Sequence, residues 1–170
     1  RLAGEGYQEV VNFGFIDSQT ESHMGQANPI AVLNPIASQF GVMRSNLWGG
    51  LLHNLRSNIN RGASRARLFE IGRVFKRDPK QTDQPGAPAG FIQNKQLGGL
   101  AYGFVNPEQW ASNNQLVDFF DVKGDLQRAL NPLQIQTKAS ATPHPALHPG
   151  RSAEIYLANA AIGWIGELHP

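Results

Sequence analysis

The chain has 170 residues, 41% of them hydrophobic and 16% charged, which fits one domain with its own core and excludes a disordered segment. With no cysteine it holds no disulfide, thiolate-ligated zinc, iron–sulfur cluster or thiol nucleophile. The net charge of +2 is unevenly spread: residues 56–80 carry eight basic side chains against Glu70 and Asp78, a local +6, and the remainder carries −4.

Residues 7–16, YQEVVNFGFI, are rich in aromatic and β-branched side chains and predict a strand. Asp17 and Ser18 are suited to cap a short helix after it. Asn28-Pro29 and Asn34-Pro35 bracket the apolar run 30–33, which predicts a short strand between turns. A helix is expected over 46–61, because Leu47, Leu51, Leu52, Leu55 and Ile59 form one stripe at helical periodicity. Ser45 is its expected N-cap, and Gly62 stands where a terminating glycine belongs. Gly49 and Gly50 inside it imply either close packing or a helix that starts after them.

Residues 67–76, RLFEIGRVFK, carry apolar groups on both alternating faces, as an interior strand does. A long Pro- and Gly-containing loop is expected over 77–96, then a strand over 97–105. Asp118 is placed to cap a second helix to about Leu130, with Phe119, Val122, Leu126 and Leu130 on one face and Asn131-Pro132 as its stop. Strands are expected over 133–138, 153–157 and 162–168, the last two as a hairpin around Asn159. Two main helices among loop-connected strands give an α+β class with an antiparallel sheet, in a single domain over 1–170.

No apolar run approaches the roughly 18 residues that cross a bilayer. Arg1 stands where a Met or a signal-peptide n-region would open a chain. We therefore expect no signal peptide and a fragment of something longer. No phosphate-binding glycine loop, GxSxG elbow or HExxH occurs. His144 and His148 have the spacing of some metal pairs, but the prolines around them rule out a helix, and hydrogen-bonded loop histidines are the reading they support. Asp118, Asp121 and Asp125 share a helical face. They read as carboxylates near a helix N-terminus rather than as a cation seat. Asn12, Asn34, Asn46, Asn54, Asn58 and Asn60 suit a polar interface or buried turns. The basic strip suits nucleic acid, nucleotide phosphates, an acidic partner or a solvated face.

Several strings are more specific. They are 6–10 (GYQEV), 34–36 (NPI), 43–47 (MRSNL) with 50–52 (GLL), 68–75 (LFEIGRVF), 118–125 (DFFDVKGD), 148–153 (HPGRSA), then Ile162-Gly163 and 166–170 (GELHP). In this order, over essentially the whole chain, they resemble the beta subunits of bacterial phenylalanyl-tRNA synthetases. The resemblance implies the part of that subunit that looks like a class II synthetase catalytic core, an antiparallel sheet flanked by helices. It also implies a cytoplasmic enzyme that couples phenylalanine to tRNA with ATP and Mg²⁺, with its active site in the alpha subunit and an (αβ)2 heterotetramer as its assembly.

The string 72–78 (GRVFKRD) is similar to the second signature motif of the alpha subunit, with Lys76 standing where that motif has an Arg. Lys76 keeps the charge without the bidentate fork. The Thr-His and Phe-His-Gln-x-Glu patterns of the alpha subunit do not follow. The resemblance therefore implies a degenerate site, with no catalytic, cofactor-binding or metal residue in this chain. Arg56, Arg61, Arg65, Arg73, Lys76 and Arg77 are left for interface or tRNA contact. Residual ATP binding, with Lys76 and Arg77 as the clamp, is a third alternative.

Overall fold

The computed structural model describes residues 1–25, 28–83, 88–110 and 114–170. In chain order its elements are β1 (Gln8–Glu9), β2 (Phe15–Ile16), α1 (Ser18–Met24), β3 (Val42–Met43), α2 (Trp48–Asn60), β4 (Arg65–Arg77), β5 (Phe91–Gly103), α3 (Phe119–Leu130), β6 (Thr137–Ala141), β7 (Leu147–Leu157) and β8 (Ala160–Leu168). Short 3₁₀ turns lie at Leu2–Glu5, Ser38–Phe40 and Asn131–Leu133. The packing of the chain divides into two compact units. The first holds residues 1–7, 64–67 and 101–170, and the second holds 8–63 and 68–100.

In the second unit the expected strand over 7–16 is broken in two. β1 pairs in parallel with β4, Gln8 opposite Leu68 and Glu9 opposite Phe69, and β2 pairs antiparallel with β3. Between them Asn12 spends its side chain on Glu70 and Asn54 instead of lying in a ladder. Asp17 caps α1 by accepting from the Thr20 N–H. The run 30–33 makes an isolated bridge, Ala31 to Val42, rather than a strand.

Helix α2 starts later than the sequence reading predicts. Leu47 stands at its N-cap, and Asn46 Oδ1, not Ser45, accepts from the Trp48 N–H at 2.9 Å. The Ser45 N–H instead donates to the buried Glu21 carboxylate. The helix ends at Asn60 with Arg61 as its C-cap, followed by Gly62 with φ +86°, as a terminating glycine should. Close packing explains the internal glycines: a Cβ on Gly49 would run into the Ile16 side chain, and one on Gly50 would press on Asn12 at 3.0 Å. Leu47, Leu51 and Leu55 are buried, each such side chain stabilising by about 1.5–3 kcal/mol, whereas Ile59 is exposed.

β5 begins at Phe91, so the connection expected over 77–96 shortens to 78–90, of which 84–87 lie outside the described residues. β5 is an edge strand in the order β1-β4-β5. Its polar run 93–96 tolerates exposure and gives no apolar alternation to read.

In the first unit, Asp118 and Asp121 form a reciprocal capping box at the start of α3. Phe119, Val122 and Leu126 of α3 pack on Ala153, Ile155 and Ile165 of the antiparallel sheet β6-β7-β8. The hairpin β7–β8 turns at 158–159, with Ala158 at φ +53°. Beside the parallel β1–β4 ladder, the β2–β3, β6–β7 and β7–β8 pairings are antiparallel, as the α+β reading expects.

Candidate functional site

β4 carries the string that resembles a signature motif, and its environment decides what that string does. Along it Ala66, Arg67, Leu68, Phe69, Glu70 and Val74 are buried, while Ile71, Arg73 and Arg77 are exposed. A carboxylate buried in an interior strand needs a partner. Glu70 finds three: Arg44 Nη1 at 2.7 Å, Asn12 Nδ2 at 2.8 Å and the Asn12 N–H at 3.3 Å. The Arg44 Nε donates in turn to the Arg73 carbonyl at 3.0 Å, and Asn54 donates to Asn12. Gly72 makes room for this, since a Cβ there would strike the Arg44 guanidinium. The network joins residues from four segments of the second unit, and it fixes β4 without addressing a ligand. Sequence reading missed Arg44. The available signal was the lone acid in 68–72, which called for a basic partner.

The basic strip does not form one surface. Arg67 is buried, and its guanidinium donates to the Ala66, Tyr102, Phe104 and Val105 carbonyls. Burial, then the charge of Arg65, pushes it below its ordinary value. Arg65 donates to the Phe104 and Val105 carbonyls. Both serve the first unit's backbone. Arg56 and Arg61 stand exposed at the C-terminal end of α2 and beyond it. Lys76 is half-buried, and Arg77 lies 5.8 Å from the centre of the Phe91 ring.

The α3 carboxylates are engaged. Asp118 and Asp121 bond backbone N–H groups within the cap. Asp125 accepts from Tyr7 Oη at 2.7 Å and pairs with Arg128, which also reaches Glu5. Burial and the Asp125 bond push the Tyr7 phenol above its usual range.

The two histidines bond to backbone; His144 lies in a loop as expected, whereas His148 stands at the start of β7 and not in a loop. His144 Nδ1 accepts from the Ala146 N–H and His148 Nδ1 from the Gly150 N–H, each at 3.1 Å. The His144 ring lies 4.9 Å from that of Trp164, and burial pushes its imidazole below the ordinary 6.5. The folded chain thus binds that proton more weakly than the unfolded chain. Stability falls as pH drops from 6.5 through the lowered folded value, and the term is constant below it. His144→Gln is expected to flatten this acid limb in urea-unfolding midpoints taken between about pH 5 and 7. An unchanged slope would acquit the ring.

The second unit also exposes large apolar side chains: Val11 is 89% exposed, Phe13 69%, Leu33 97% and Ile36 90%. Phe13 meets Phe40 edge-on at 5.3 Å, which ties the segment around residue 13 to the 3₁₀ turn Ser38–Phe40. No helix among the described residues is long and apolar enough to cross a membrane.

Residues 1–170 match the family described as phenylalanyl tRNA synthetase beta chain CLM domain. The chain belongs to this family. It is 52% identical over 170 residues to the phenylalanine–tRNA ligase beta subunit of Ralstonia nicotianae, covering 99% of this chain and 21% of that protein. The beta subunit of Burkholderia pseudomallei is 51% identical and that of Bordetella pertussis 47%, over the same shares. The chain thus spans about a fifth of the length of these relatives, 21% in each. Among solved structures, a pyrrolysyl tRNA synthetase of Desulfitobacterium hafniense matches with a TM-score of 0.59 at 12% identity, over 96% of this chain and 53% of that one. That likeness concerns the fold, which is that of a class II synthetase core. The family strings at 68–75 and 118–125 fall on β4 and on the start of α3, and the later ones on β7 and β8. In this beta-subunit domain the motif-like strand is built around the Arg44–Glu70 pair.

Proposed function

We propose that this domain is a non-catalytic, synthetase-like core that packs against and orders the catalytic alpha subunit of a cytoplasmic phenylalanine–tRNA ligase, in an (αβ)2 assembly. The observation that carries the proposal is the outward display of Val11, Phe13, Leu33 and Ile36. Apolar side chains exposed together in one unit suit a protein interface better than water. We read ATP and Mg²⁺ as held elsewhere than on these residues. The carboxylates of Asp118, Asp121 and Asp125 are turned onto amides, Tyr7 and Arg128, and Arg44 is held by Glu70. We therefore place both with the alpha subunit.

The test is to mix the folded chain with a phenylalanine–tRNA ligase alpha subunit and read the mass by light scattering on a sizing column. A complex heavier than either component is expected, and Val11→Ser, Phe13→Ser, Leu33→Ser and Ile36→Ser together should weaken it at least about tenfold. Separate elution of the two folded proteins would sink the proposal.

A second reading is tRNA contact through the basic strip, favoured by the exposure of Arg56, Arg61, Arg73 and Arg77. Its signature is tRNA affinity that falls steeply with salt.

A further inference from the structure

β4 and β5 present one face to α2 and another to the outside. A Cβ on Gly72 or on Gly98 would press on Leu47, so these two positions point to the same side, toward α2. Side chains alternate along a strand, so Ile71, Arg73 and Arg77 of β4, with Lys95 and Leu97 of β5, point to the opposite side. Exposure agrees: Arg73, Arg77 and Lys95 are exposed, Ile71 is 49% exposed and Leu97 50%. Arg77 over Phe91 joins the two strands on that side. Positions 71, 73, 75 and 77, and 91, 93, 95, 97 and 99, include no carboxylate.

We infer that this outer face of β4–β5 docks a polypeptide surface on which carboxylates surround apolar side chains, supplied by the alpha subunit. The inference rests on the interface reading above and adds the residues and the charge that complete it. Three cations against one exposed acid on the same side of the sheet, Glu9 opposite Phe69, leave a local excess of positive charge that attracts and orients an acidic partner. Ile71 and Leu97 decide between protein and nucleic acid. Half-exposed aliphatic groups gain from burial against other apolar groups, but they offer neither a stacking plane for a base nor a charge for a phosphate.

The experiment compares the chain carrying Arg73→Glu, Arg77→Glu and Lys95→Glu with the unaltered chain, each titrated with the alpha subunit at low and high salt. Melting curves serve as the folding control. The altered chain is expected to bind the alpha subunit at least about tenfold more weakly at low salt, with most of the salt dependence gone. If the reversal disturbs folding, Arg73→Gln, Arg77→Gln and Lys95→Gln should still weaken binding by about threefold or more. A complex formed equally well by both chains overturns this inference and leaves the interface reading standing. No complex with the unaltered chain overturns the interface reading itself, and this inference with it. If the altered chain keeps the alpha subunit but loses retention of tRNA on a filter, the face belongs to nucleic acid and the inference is wrong.

Discussion

Arg44→Met should destabilise the chain by about 3–5 kcal/mol, measured by urea unfolding at neutral pH, because it strands the Glu70 carboxylate among buried groups. Asn12 alone is left to hold that carboxylate, through its side-chain amide and its backbone N–H. The Arg73 carbonyl loses its donor as well. Arg44→Met combined with Glu70→Leu should recover most of the loss, since an apolar pair of similar volume removes both charges together. If the double variant were as unstable as the single one, the loss would lie in packing and not in the stranded charge. A single change that proved neutral would show that water reaches Glu70, contrary to its 2% exposure.

Leu51→Ala should cost about 3–5 kcal/mol in the same assay. Leu51 has no exposed surface and sits on the α2 stripe, with its Cδ1 3.2 Å from where a Cβ on Gly98 would stand. Two neighbours limit how far the site can collapse around the missing atoms: Leu47 is likewise fully buried, and β5 is held in the ladder with β4. Leu52, one residue along the helix and half-buried, should lose clearly less on the same substitution, which sets the scale within one element. Equal losses at the two positions would contradict the burial pattern of α2.

Local chemistry was legible in the sequence, and long-range pairing was not. Asp17 and Asp118 cap helices because an acidic side chain beside a helix start satisfies amides a few residues away. Gly62 ends α2 for an equally local reason, its positive φ. By contrast, residues 7–16 have the composition of one strand but make two. What divides them is Asn12, whose partners Glu70 and Asn54 are far away in sequence. The early start of β5 was hidden because polar residues 93–96 sit in an edge strand whose order comes from β4. The parallel β1–β4 pairing has no signature in either segment.

For the candidate site, the strip over 56–80 was legible as a count of charges. What a count cannot show is that Arg65 and Arg67 are turned onto backbone carbonyls. Nor can it show that Arg73 and Arg77 share a face with Ile71 on β4. The histidines, Asp118 and Asp121 were legible because their partners lie within a few residues, whereas the Tyr7 bond to Asp125 was not.

Leu47 enters the sheet at two positions that lack a side chain, Gly72 on β4 and Gly98 on β5. Helix and sheet are thereby keyed to each other like a peg in two sockets, and α2 cannot slide along the strands without lifting that peg. The keying also binds three distant codons together. A bulkier residue at 98 has room only if position 47 gives way, and one at 72 only if Arg44 moves as well, so this corner of the domain can drift through evolution only by concerted change.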